Sequence, residues 1–196
     1  MKTENRRKII LASRSKARRQ LLKQIGLRFK VMSSRVSESR KIRTNCSGLV
    51  VDNAVRKAKD VASRLKSGIV IGADTVALVN NKIIGKPKNK KEALMTLRLL
   101  SRSPQWIYSG IAVIDVDKDK IYTDWEKTRV YMYKLSDAQI LDYFKRVSPH
   151  DKAGSFDIEG LGSVFVRRIE GCFYNVVGLP LAKLARILEK TGVDVI

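Results

Sequence analysis

Histidine, cysteine and acidic residues are all scarce in this 196-residue chain. The one histidine, His150, offers no partner set for a Ser/His/Asp triad and reads as a solvated loop side chain. The two cysteines, Cys46 and Cys172, stand far apart with no C-x-x-C spacing, which excludes the usual kind of structural zinc site. No apolar run approaches the ~20 residues of a membrane span. Met1 to Lys8 leads into only four apolar residues, too few for a signal-peptide core. These absences predict a reduced, soluble, cytoplasmic protein, although loose attachment to an anionic membrane surface stays open.

The shortage of acid leaves 40 Lys+Arg against 19 Asp+Glu and a formal net charge of +21. A nucleic-acid binder or an enzyme acting on a strongly anionic small molecule would each account for it. Apolar residues make up 44% of the chain, so a disordered polyelectrolyte is excluded. Residues 1–66 hold 20 basic and 4 acidic residues, a net of +16, while residues 67–196 carry only +5. Basic and apolar residues interleave without long like-charge runs, which predicts a folded basic surface. No helix-turn-helix, RNA-recognition-motif or zinc-finger pattern supports the nucleic-acid reading.

Periodicity predicts alternating strands and helices. Ile9–Ala12 reads as a buried strand, followed by a helix that Ser15 caps and Gly26 stops. Phe29–Met32 reads as a strand, and residues 33–46 as loop. Val50, Ala54, Ala58, Val61 and Leu65 mark one face of a long helix. Gly68–Ala73 reads as a buried strand ending at Asp74-Thr75, with a hairpin turning at Asn80-Asn81. A helix over Ala93–Leu100, strands over 106–115 and 120–133, and a helix capped by Ser136 follow. Residues 147–162 read as a Gly-containing loop. Val164–Val166 and Asn175–Val177 read as short strands. A last helix starts at Pro180 and stops at Gly192. Helices mixed with hairpins predict an α/β fold with a mixed sheet.

Stock nucleotide motifs are missing: Gly85-Lys86 runs into Pro87, and Gly160-Leu161-Gly162 lacks a third glycine. Instead, short polar clusters stand where predicted strands end. Ser13-Arg14-Ser15-Lys16-Ala17-Arg18 joins a strand to a helix N-terminus, a place suited to phosphate or to an ordinary cap. Asp74 follows a fully apolar strand and suits Mg²⁺, water activation or a plain turn. Lys86 sits in a stiff turn beside Pro87. Lys57, beside the apolar helix face, either points into a cleft or snorkels, and alone the snorkelling reading is favoured.

Taken together, these segments resemble the Maf family of nucleoside triphosphate pyrophosphatases, named for septum formation. Leu11-Ala12-Ser13-x-Ser15-x-x-Arg18-x-x-Leu21-Leu22, Glu38, Lys57-Ala58 and Ile71-Gly72-Ala73-Asp74-Thr75-Val76 match the family in order. So do Gly85-Lys86-Pro87, Tyr108-Ser109-Gly110, Asp151-Lys152-Ala153-Gly154, Ile158-Glu159-Gly160 and Val176–Leu181. The resemblance covers residues 9–188. It implies one domain over 1–196 with a Maf/ITPase-like fold: two lobes around an elongated mixed sheet, flanking helices and a central cleft. It also implies hydrolysis of a nucleoside triphosphate between the α and β phosphates, a divalent cation (Mg²⁺ or Mn²⁺), and a homodimer.

By that resemblance Ser13, Ser15, Arg18, Lys57 and Lys86 hold the phosphate chain, with Glu159 near the substrate. Glu38, Asp74 and Glu159 are the expected metal ligands, and Asp74, Glu38 and Lys86 the catalytic set. Asp74 is the first choice to orient or deprotonate water, and Asp74→Asn is expected to abolish hydrolysis with the fold intact. The sequence departs from the family where Ser-Pro-Arg-Arg becomes Ser15-Lys16-Ala17-Arg18 and where Gln105, Ser109 and Glu159 replace the common residues. Ala73-Asp74-Thr75 and Val176-Val177 look like the dTTP/UTP branch. Ala153-Gly154-Ser155-Phe156 with Glu159 looks like the 7-methyl-GTP branch. A pyrimidine or broad, non-canonical preference is expected. The alternative is a basic nucleic-acid-binding or regulatory protein on the same fold with catalysis lost.

Overall fold

The computed structural model describes residues 7–39, 45–85, 87–148, 154 and 156–195. Strands β1 (Ile9–Leu11), β2 (Lys30–Val31), β3 (Ile69–Val79), β4 (Lys82–Ile84), β5 (Gln105–Asp115), β6 (Lys120–Met132) and β7 (Val166–Glu170) form a mixed sheet. Its order is β2-β1-β3-β5-β6-β7, with β4 paired to β3. β1 runs parallel to β2 and β3, whereas β3–β4 and β6–β7 are antiparallel. Helices α1 (Lys16–Gln24), α2 (Cys46–Ala62), α3 (Lys90–Arg102), α4 (Asp137–Arg146), α5 (Phe173–Val177) and α6 (Leu181–Lys190) complete the described elements, with a 3-10 turn over Leu161–Phe165. The α/β class and mixed sheet expected from the sequence are present.

The chain divides into two compact units. The first comprises residues Met1–Thr75, Ser109–Glu126 and Gly178–Ile196. Its core joins Ile10, Val70, Ala112 and Ile114 of the sheet to Ala54, Ala58 and Val61 of α2. Two glycines let this helix lie close on its strands. A Cβ on Gly72 would stand 2.3 Å from the Ala54 carbonyl oxygen, and one on Gly110 2.4 Å from the Val50 carbonyl. Arg7 closes the same unit: its guanidinium donates to Asp115 Oδ1 and Oδ2, to Asp117 and to the Thr191 carbonyl.

The second unit comprises Val76–Tyr108 and Lys127–Val177. Leu97, Leu100, Ile140 and Tyr143 pack on Val79, Met132, Leu135, Phe156 and Phe165. Tyr143 meets Phe165 edge-on at 4.9 Å, and burial pushes its hydroxyl pKa up. The Asp157 N–H donates to the Tyr143 Oη. Ser136 caps α4 with a full capping box to Gln139.

Three local expectations need correction. β3 does not end at Asp74 but runs on to Val79, because the carboxylate is satisfied where it stands. Val164–Phe165 belongs to the 3-10 turn, with β7 beginning at Val166. Asn175–Val177 is helical: the Asn175 side chain donates to the Ile107 carbonyl and Thr128 Oγ1, which holds α5 as a helix despite its two valines.

Candidate functional site

The turn after β1 folds on its own hydroxyls. Ser15 caps α1 by accepting the Arg18 N–H at 3.3 Å. Ser13 Oγ accepts the Ser15 N–H at 3.2 Å and an Arg18 Nη1–H at 3.3 Å. Arg18 turns inward and is only 8% exposed. Its Nε donates to the Gly178 carbonyl at 2.9 Å and Nη1 to the Ala73 carbonyl at 2.9 Å. Nη2 donates to Thr75 Oγ1 at 3.0 Å, and that oxygen stands 2.8 Å from Ser109 Oγ. Arg18 thus ties the α1 turn, β3 and the loop before α6 together. Burial pushes its guanidinium pKa down, and the charges of Asp74 and Glu38 push it back up.

Asp74 stands on the face of β3 that meets α2, with 3% exposure. Its Oδ1 accepts from Lys57 Nζ at 2.7 Å and its Oδ2 from Asn53 Nδ2 at 2.8 Å. Lys57 Nζ also reaches Glu38 Oε1 at 2.6 Å, and Glu38 is the half-exposed, solvent side of the group. Lys57 therefore does not snorkel: its head is held between two carboxylates. Asn53 cannot turn over, because its Oδ1 accepts the Ser39 N–H while Nδ2 also donates to the Ser39 carbonyl.

One unit thus brings together Ser13, Ser15, Arg18, Glu38, Lys57 and Asp74 of the expected set. Sequence reasoning missed Asn53, Thr75 and Ser109 as members of the network. The available signal for Asn53 was a polar residue one helical turn before Lys57 on the apolar face of α2. Glu159 lies in the second unit, where its N–H donates to Asp157 Oδ1. Lys86 lies outside the described residues. Gln105 is fully buried in the second unit, with Nε2 3.2 Å from Met132 Sδ, and is not part of the network.

Arg18 and Lys57 carry two positive charges, and Asp74 and Glu38 two negative ones. The oxygens of both carboxylates converge on one cation, the Lys57 ammonium. Among the described residues no group of three or more His, Cys, Asp or Glu could hold a metal alone. A pair of hard oxygen donors suits a divalent cation that completes its shell with water and phosphate.

An α/β chain with a strand-borne carboxylate, a helix lysine and a hydroxyl-lined helix N-terminus has the parts of a phosphate-handling site. The chain belongs to the Maf family: the family model described as Maf-like protein matches residues 8–191. A dTTP/UTP pyrophosphatase of Methanosarcina barkeri is 44% identical over 190 residues, covering 96% of each chain. One of Caldicellulosiruptor bescii is 42% identical over 192 residues, also covering 96% of each. One of Bacillus cereus is 42% identical over 192 residues, covering 98% of this chain and 94% of its own. The solved structure of the Staphylococcus aureus Ham1 protein matches 65% of this chain and 72% of its own, at 16% identity and a TM-score of 0.46. No helix among the described residues is long and apolar enough to cross a membrane.

Proposed function

We propose that this protein hydrolyses nucleoside triphosphates, with dTTP and UTP preferred, to the nucleoside monophosphate and pyrophosphate. The observation that carries the reading is the convergence of Glu38 and Asp74 on one cation position, with Arg18 linking the Ser13–Ser15 turn to the carbonyl before Asp74. The pyrimidine preference rests on relatives of that name matching at 41–44% identity over 94% or more of their own lengths.

A water adds to the α phosphorus, the bond from that phosphorus to the α–β bridging oxygen breaks, and pyrophosphate leaves. Asp74 orients that water and takes its proton at a carboxylate oxygen. Ser13, Ser15 and the N-terminus of α1 face phosphate oxygens. Lys57, Lys86 and Arg18 offset the charge that grows on the leaving group. Glu38 and Asp74 would hold Mg²⁺ or Mn²⁺, with water and phosphate oxygens completing its shell. Such a cation supplies charge neutralisation and a more acidic water. Free Cys46 and Cys172 support a cytoplasmic location, and a homodimer is the expected assembly.

The test is a panel of nucleoside triphosphates with Mg²⁺ or Mn²⁺, assayed for pyrophosphate and nucleoside monophosphate. Release from dTTP and UTP is expected. Orthophosphate with nucleoside diphosphate, or no product from any nucleotide, overturns the reading.

A further inference from the structure

The charges of the candidate site cancel, so the basic excess of the chain stands elsewhere. A concentrated part of it lies on one face of the second unit's strands. Ile107 of β5 and Val130 of β6 point into the core, as does Met132. The alternate residues, Trp106 on β5 and Lys127, Arg129 and Tyr131 on β6, share the opposite face, where Lys127 is exposed and the other three are half-buried. Arg168 stands directly across from Tyr131 on β7.

These side chains interleave. Lys127 Nζ and Arg129 Cζ each lie 5.2 Å from the Trp106 ring centroid. Arg129, Arg167 and Arg168 lie 5.1, 6.0 and 4.5 Å from the Tyr131 ring. The acid Glu170 joins the ladder, held by Arg168 at 2.7 Å and by the Tyr131 hydroxyl at 2.8 Å. The ladder runs on into a cavity of about 530 Å³ whose lining includes Tyr131, Tyr133, Arg102, Lys134 and Arg167 and no acidic residue. Tyr133 is 56% exposed there.

Crowding cations around two rings costs Coulomb energy that a polyanion relieves. A chain of phosphates carrying flat, unstacked bases satisfies both halves of the pattern: cations for the backbone, rings and guanidinium planes for the bases. A duplex offers the phosphates but keeps its bases stacked. A lipid surface offers charge but nothing for the ring faces that guanidinium groups already border. We propose that this face of β5–β6–β7, with the adjoining cavity, binds single-stranded nucleic acid.

The experiment titrates the full chain into 5′-labelled dT₁₂ and U₁₂, read by fluorescence anisotropy at several salt concentrations. Single strands are expected to bind at least tenfold more tightly than a duplex of equal length. With four cations engaged, the slope of log K against log salt is about −2.8, at ~0.7 per phosphate neutralised. R167E/R168E is expected to weaken binding tenfold or more and flatten the slope by about 1.4. K59E/K66E, with the same charge change on exposed positions in the last turn of α2 and just beyond it in the first unit, should weaken it less than threefold. Single strands should quench tryptophan emission in the wild type and not in W106F. Pyrophosphate release from dTTP should stay within twofold in R167E/R168E, and the binding assay reads independently of that activity. Equal binding of duplex, an equal loss in K59E/K66E, or no binding at 150 mM salt overturns the proposal. So does a parallel loss of turnover, which assigns the face to the nucleotide substrate. Binding to phosphatidylglycerol vesicles that R167E/R168E abolishes, without single-strand binding, assigns it to a membrane and also overturns the proposal.

Discussion

Lys57 holds Asp74 by an ion pair of 2.7 Å in which the carboxylate is almost wholly buried and the ammonium nearly so. Removing the ammonium leaves a buried charge whose remaining hydrogen bond among the described residues comes from the Asn53 amide, a loss of about 3–5 kcal/mol. Lys57→Met should therefore lower the melting temperature by roughly 6–12 °C at the low end of that range. Mg²⁺ or Mn²⁺ should restore more of that loss than it adds to the wild type, because Glu38 Oε1 and Asp74 Oδ1, no longer held by the ammonium, join the carboxylate oxygens open to the cation. Differential scanning fluorimetry with and without the metal measures it. Equal shifts in both proteins remove the carboxylate pair as the cation position.

Asp74→Asn separates chemistry from structure less cleanly than the sequence implies. Asn53 presents its amide N–H to Asp74 Oδ2 and is fixed by Ser39, while Lys57 donates to Oδ1. An amide at position 74 has one acceptor for these two donors, so one donor meets another donor in either orientation. The expected cost is about 1–3 kcal/mol of stability. It accompanies a fall in turnover of roughly 10²–10⁴-fold from loss of the proton acceptor. Thermal melts and pyrophosphate release, measured on the same samples well below the melting point, keep the two effects apart. Wild-type turnover in a folded Asp74→Asn protein excludes Asp74 from the reaction.

Much of the framework was legible from local chemistry. Ser15 and Ser136 as helix caps, the Asn80-Asn81 hairpin and the stops at Gly26 and Gly192 depend on side-chain or φ preferences of a few neighbouring residues. The path of β3 was not. Aspartate is a poor strand residue, and only Lys57 and Asn53, arriving from another element, make its burial tolerable. Arg18 was legible as a basic residue beside a helix N-terminus. Its role as a tie among four acceptors depends on Ala73, Thr75 and Gly178, which no local pattern brings to it. The helical turn at Asn175 is likewise fixed by Ile107 and Thr128, far away in the chain.

Gly72 places the site from behind. Its missing Cβ lets α2 approach until the Ala54 carbonyl would be 2.3 Å from an added methyl, and Ala58 Cβ 2.9 Å. Backbone at that distance cannot give way cheaply, so Gly72→Ala should push α2 off the sheet at a cost of about 1–3 kcal/mol. Asn53 and Lys57 move with the helix. Turnover should fall by more than the stability loss explains, with Gly26→Ala, which meets no atom within 4 Å, as the comparison for backbone strain alone. A Gly72→Ala protein with unchanged turnover detaches the position of α2 from the activity.

Arg7 gives the fold a defined response to acid. Its hydrogen bonds and charge hold the Asp115 and Asp117 carboxyls below the usual carboxylate range, and the two acids raise the Arg7 pKa in return. A carboxyl whose folded pKa is depressed adds stability above its unfolded pKa of about 3.9 and loses it as pH falls through the folded value. Asp115 has no exposed side-chain surface, so Arg7→Met leaves its charge buried with, among the described residues, the Lys118 N–H as its remaining hydrogen bond. The variant should lose about 2–4 kcal/mol at pH 7, less than a fully buried pair would because Arg7 is partly exposed. Below about pH 4 the wild type loses its own share and the gap narrows. Urea unfolding at pH 7, 5, 4 and 3 measures this, and a gap that stays constant down to pH 3 means that Arg7 acts by packing and not through these two carboxylates.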